Sequence, residues 1–149
     1  MNIMKKKTAF ILGGITMALA APQALAHCQV PCGIYADDNV FVLMEKDVET
    51  IQKAIAQLTG EKLDMNQTVR WVTNKESHAQ SIQDTVAKYF LAQRIKLSEA
   101  EKSPETYAEK LTLLHKITVL AMKCKQTTDA EHAKSLAKAV AAFKAAYTK

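Results

Sequence analysis

The sequence predicts an all-α fold, an antiparallel up-down-up-down four-helix bundle entered through an irregular N-terminal hook. Two observations carry that prediction. The first is composition: Ala, Lys, Leu, Glu and Gln, all good helix formers, dominate, while Gly and Pro together supply only seven of 149 residues. The second is period, because four separate stretches carry apolar residues three and four positions apart, the spacing that lines one face of a helix. A chain of this length makes one domain, and 48 % apolar residues are enough for its core.

The first 26 residues stand apart from the fold. Lys5, Lys6 and Lys7 precede an apolar, uncharged run from Thr8 to Ala21, and Ala24-Leu25-Ala26 supplies small residues at the positions a signal peptidase reads. This is the layout of a secretory signal peptide, and the run is short for a membrane span. The expected product begins at His27, is exported to the periplasm or the extracellular space, and has no stable membrane association after cleavage. Removing 26 of 149 residues leaves 123. The leader carries three lysines and no acids, so the formal balance drops from +5 to +2 on cleavage. So slight a charge, with no aromatic-interleaved basic patch, argues against nucleic acid as a partner.

Residues 27–38 hold Pro31 and Gly33 and show no helical period, which makes them the hook; the bundle is expected over 39–149. Met44, Val48, Ile51, Ile55 and Leu58 make the first seam, with Gly60 placed to end the helix. A second helix is predicted from near Asn66 to about Leu97. Its face is Val69, Val72, Ala79, Ile82, Val86 and Phe90, interrupted at Glu76. Ser103-Pro104 marks the third start, Ser as N-cap and Pro in the first turn. Tyr107, Leu111, Leu114, Ile117 or Thr118, and Ala121 follow as its stripe. Thr128-Asp129-Ala130-Glu131 fits a capping box ahead of Ala133, Leu136, Val140, Phe143 and Tyr147. Cys124, His115 and His132 have no ligand-spaced partner and read as core or surface residues.

The chemistry concentrates at His27-Cys28-Gln29-Val30-Pro31-Cys32. Once terminal, the α-amine of His27 has a pKa of about 7.7 and can bind a metal in its neutral form. The backbone nitrogen of Cys28 closes a five-membered chelate ring with that amine, and the Cys28 thiolate closes another with the same nitrogen. Cys32 returns as a fourth donor, and the His27 imidazole reaches an axial position. Two nitrogens and two sulfurs in a plane suit nickel or copper(II) better than zinc, which prefers a tetrahedron. Thiolates and a deprotonated amide stabilise the oxidised ion, so the donor set predicts one-electron chemistry.

His27-Cys28-x-x-Pro31-Cys32-Gly33-x-Tyr35 resembles the metal-binding hook of nickel superoxide dismutases. The resemblance implies an antioxidant oxidoreductase, with one nickel ion per subunit cycling between +2 and +3 and superoxide as substrate. It implies His27, Cys28 and Cys32 as metal ligands, His27, Tyr35 and Tyr89 as residues acting in catalysis, and a homohexamer. Tyr89-Phe90 fits the context of a second family tyrosine near the metal. In the family an acid on the first helix and an arginine on the second orient the axial imidazole. Glu45 matches the first, while His78, or Arg70 instead, stands for the second.

Two other readings use the same residues. A periplasmic metal carrier needs the ligands but not Pro31, Gly33 and Tyr35 over an open axial face. A thiol–disulfide oxidoreductase would pair Cys28 with Cys32, but the strand pattern that usually accompanies such a motif is lacking.

Overall fold

A computed structural model of the chain describes residues 37–60 and 62–148, and every regular element among them is helical. The leader, the hook up to Ala36 and the boundary between them lie outside the described residues. Helix α1 runs Asp37–Thr59 and α2 Met65–Asp84, and α2 passes without a break into a π-helical segment, Thr85–Arg94. A single turn, α3 (Glu99–Lys102), precedes α4 (Pro104–Gln126) and α5 (Ala130–Tyr147). Helix α1 packs beside α2 and α5, and α4 packs beside the same two, so the four long helices enclose one core. This arrangement is compatible with a helical bundle. No helix among the described residues is long and apolar enough to cross a membrane.

The seams form largely where the period put them. Met44, Val48, Ile51 and Ile55 are buried on α1, joined by Phe41 and Ala54. Leu114, Ile117 and Ala121 on α4 and Ala133, Leu136, Val140 and Phe143 on α5 are likewise buried. Each large side chain so removed from water contributes roughly 1.5–3 kcal/mol. Cys124 is in the core, fully buried, and burial pushes its thiol up to about 11 although the nearby Lys75 ammonium pulls the other way.

The second helix departs from expectation. Val69 and Val72 are exposed, 54 % and 40 %, and the inward position ahead of Ala79 belongs to Lys75, only 3 % exposed. Its ammonium donates to the carbonyls of Cys124 at 2.5 Å and Lys125 at 2.6 Å, and to Glu76 Oε1 at 3.0 Å. These are carbonyls of the last turn of α4, which have no partner within their own helix. A buried cation thus satisfies a helix end that a valine would leave unpaired.

Helix boundaries differ in smaller ways. The first helix begins at Asp37, two residues before the predicted start, and the second ends at Arg94, not near Leu97. Ser103 occupies the N-cap of α4 ahead of Pro104, but its side chain makes no capping bond. At α5 the cap is Asp129, whose Oδ1 accepts the Glu131 N–H at 2.9 Å. The cap is therefore one residue later than predicted and the capping box is not formed, since the Glu131 carboxylate pairs with Lys134 at 2.7 Å instead of reaching back.

At the end of the bundle where the chain enters α1, the core is aromatic. The ring of Phe90 lies 5.2 Å from Phe41, 4.8 Å edge-on from Phe143 and 5.2 Å edge-on from Tyr89. Tyr147, the last residue of α5, lies tilted with its ring centre 5.6 Å from that of Phe41. Each such pair adds about 0.5–1.5 kcal/mol beyond its burial. Asp37, the first of the described residues, enters the bundle at this end.

Candidate functional site

Asp37 opens α1 and is the residue at which the hook joins the bundle. As an acid in the first turn it faces the positive end of the helix. The structure adds three side-chain donors. The Tyr89 hydroxyl donates to Asp37 Oδ1, while Asp37 Oδ2 accepts from Tyr147 Oη at 2.8 Å and from Arg94 Nη2 at 2.5 Å. Arg94 Nε also donates to the Tyr147 hydroxyl oxygen at 3.0 Å, and its guanidinium carbon stands 5.9 Å from the centre of the Tyr89 ring. Two helices and the π segment thus converge on one carboxylate.

These contacts set the protonation states. Burial raises the Asp37 carboxyl, but the bonds from Tyr89, Tyr147 and Arg94 and the Arg94 charge outweigh it and hold the group below its ordinary value. Burial, then the bond to Asp37, pushes Tyr89 up to about 12. Tyr147 is raised by burial and by the same carboxylate, and Arg94 by its bonds to Tyr147 and Asp37. Asp37 therefore contributes stability above pH ~4, lost as pH falls through its lowered folded value. Tyr89 contributes fully below pH ~10, its unfolded value, and the contribution is lost as pH rises through about 12. Urea unfolding against pH is expected to show an alkaline loss of stability in that window which is smaller in Tyr89→Phe, where only the raised Tyr147 still contributes. Identical pH profiles would contradict this assignment.

The sequence-named second-helix and first-helix partners hold other groups. Glu45 pairs with Lys144 at 2.8 Å, and His78 Nδ1 contacts Asp47 Oδ1 at 2.6 Å. Arg70 is exposed, and Trp71 is half-buried. The arginine brought to the hook end is Arg94. A groove of about 680 Å³ runs along α2 and the π segment to Tyr89, bordered by Glu76, Asp84, Lys88 and Lys125. Two acids and two bases border it, so the groove carries no net formal charge to draw an anion.

Asp37, Arg94 and Tyr147 were not legible as a cluster. Tyr147 is 110 residues from Asp37 and reads as the last member of a core stripe. The only local signal was an acid beside the predicted start of a helix.

Among the described residues no group of three or more His, Cys, Asp or Glu is placed to hold a metal ion. His27, Cys28, Cys32 and Tyr35 lie outside the described residues. As chemistry, an amine, an amide nitrogen, an imidazole and two thiolates are the borderline-to-soft donors that suit nickel. The family model of nickel-containing superoxide dismutase matches residues 22–149, a span that includes all four of those residues. The chain belongs to the nickel-containing superoxide dismutase family. The dismutase is thus an oxidoreductase that uses nickel to disproportionate superoxide to dioxygen and hydrogen peroxide. No curated protein and no solved structure matches the chain.

Proposed function

We propose that the metal centre of the dismutase is the hook, residues 27–38, exposed by cleavage after Ala26 in an exported protein of the periplasm or extracellular space. The ligands are the α-amine and imidazole of His27, the amide nitrogen and thiolate of Cys28, and the thiolate of Cys32. One nickel is held per chain, and the chains assemble as homohexamers of up-down-up-down bundles. The observation that carries this reading is the family match across residues 22–149 with His27-Cys28-x-x-Pro31-Cys32-Gly33-x-Tyr35 inside it. The bundle topology is supported by connections of three and five residues between helices that also pack side by side, as short links between antiparallel neighbours do.

Bound nickel supplies one-electron chemistry between its +2 and +3 states. The protein has to admit superoxide, deliver protons and exclude larger reductants. Two superoxide ions and two protons yield one dioxygen and one hydrogen peroxide. Backbone N–H groups and ordered water deliver the protons, because residues 27–35 contain no acidic side chain. Tyr35 gates the approach and holds water or anion over the open face. Tyr89 acts behind it. Glu45, His78 or Arg70 orients the His27 imidazole, and Glu45 and His78 would do so while sharing their bonds to Lys144 and Asp47.

The test is the composition of the purified mature protein. It is expected to begin at His27, to carry one nickel per chain, and to show a rhombic nickel(III) spin signal with nitrogen splitting that His27→Gln removes. A chain beginning elsewhere, or one with a Cys28–Cys32 disulfide and no nickel, would overturn the assignment.

A further inference from the structure

Asp37 follows Tyr35 by two residues and Cys32 by five. Five residues of extended chain span at most about 18 Å, so whatever immobilises Asp37 limits where a Cys32 thiolate can be placed. An acid at a helix start is favoured by the helix dipole without any side-chain partner. Here it has three, all supplied by elements more than 50 residues away.

The π segment is what makes this possible. In an α-helix, residues five apart point about 140° away from one another, so Tyr89 and Arg94 could not serve one carboxylate. With i→i+5 bonding, as in the Ile95 N–H donating to the Phe90 carbonyl at 2.8 Å, the wider turn brings residues five apart much closer to one face. Tyr89 and Arg94 are so spaced, and they reach opposite oxygens of Asp37. A ten-residue π run is rare and its occurrence is associated with functional sites. Behind it, the Phe41, Phe90, Phe143 and Tyr147 rings pack against one another at 4.8–5.7 Å between centroids.

We propose that Asp37, clamped by Tyr89, Arg94 and Tyr147, is a positioning residue for superoxide dismutation that fixes the root of the hook and, through it, the placement of Tyr35 and Cys32. This rests on the reading of residues 27–38 as the metal centre. Asp37 acts through the chain that joins it to Tyr35 and Cys32, and is assigned no role as a ligand. Its effect is on geometry, where an error of about 1 Å can lower turnover on the order of a hundredfold.

The experiment compares the mature nickel-loaded wild type with Asp37→Asn, which keeps shape and removes charge, and with Tyr147→Phe, which removes one donor. Turnover is expected to fall roughly tenfold to a hundredfold in Asp37→Asn and less in Tyr147→Phe. The nickel(III) spin signal is expected to broaden or split into several components in both. In the metal-free proteins, amide hydrogen exchange of residues 36–40 is expected to rise about tenfold or more while the rest of the bundle keeps its protection. Unchanged spin signal and unchanged local exchange in both variants would overturn the proposal. So would exchange that rises evenly over all helices, which assigns Asp37 to the fold alone. Failure of the hook reading itself is seen separately, in a wild-type protein that carries no nickel at His27.

Discussion

Adding one residue ahead of His27 is expected to abolish nickel binding and superoxide consumption while helix content stays unchanged. The added residue converts the His27 amine into a peptide nitrogen. The new terminal amine then chelates with the amide of His27, not with that of Cys28, and the Cys28 thiolate no longer closes the next ring. In the proposed centre all one-electron chemistry depends on that donor order, so the expected loss is on the order of 10³-fold or more, about 4 kcal/mol of barrier. The measurement is nickel per chain and superoxide decay for the extended and native proteins, with circular dichroism as the control. An extended protein that retains full activity would show that the amine is not a ligand. The same experiment separates the competing readings, because a disulfide between Cys28 and Cys32 is indifferent to what precedes His27.

Lys75 carries the second large effect, on stability. Its ammonium is buried with three acceptors, two of them carbonyls in the last turn of α4. Burying a lysine costs several kcal/mol, and only complete pairing offsets that. Lys75→Ala removes the donor, strands the carbonyls and leaves a cavity, for an expected loss of about 3–4 kcal/mol. Lys75→Met fills the stem's space and removes the burial cost, yet the carbonyls remain unpaired, so about 2 kcal/mol is expected to be lost. In thermal unfolding these correspond to decreases of roughly 15 °C and roughly 10 °C. A Lys75→Met protein as stable as wild type would show that the cap adds nothing net beyond packing.

Lys75 and Asp37 also show where reading the chain by period stops. A period reports which face of a helix is apolar. It located most of the seams of α1, α4 and α5, with Leu58, Tyr107, Leu111 and Tyr147 only partly buried, because water sorts side chains the same way along every helix. It cannot report what lies opposite that face. Val69 and Val72 continue the apolar stripe of α2, but they are exposed, and the inward position after them meets the carbonyl end of α4. There a cation is more stable than a hydrocarbon. The π segment was hidden for a similar reason: Thr85–Arg94 has no sequence mark distinguishing five-residue from four-residue bonding, and its bonds are held by partners on α1 and α5.

From the sequence alone came the helical class, most of the apolar seams of α1, α4 and α5, and the donor set of His27, Cys28 and Cys32 on which the proposed metal centre rests. Those depend on neighbours close along the chain: a repeat of three and four, or donors joined through five-membered rings. The tertiary structure alone decided that Lys75 is interior and that Asp37, Tyr89, Arg94 and Tyr147 share one set of bonds. Both are contacts between residues 49 to 110 positions apart, and only the packing of helix against helix brings such groups within hydrogen-bond reach.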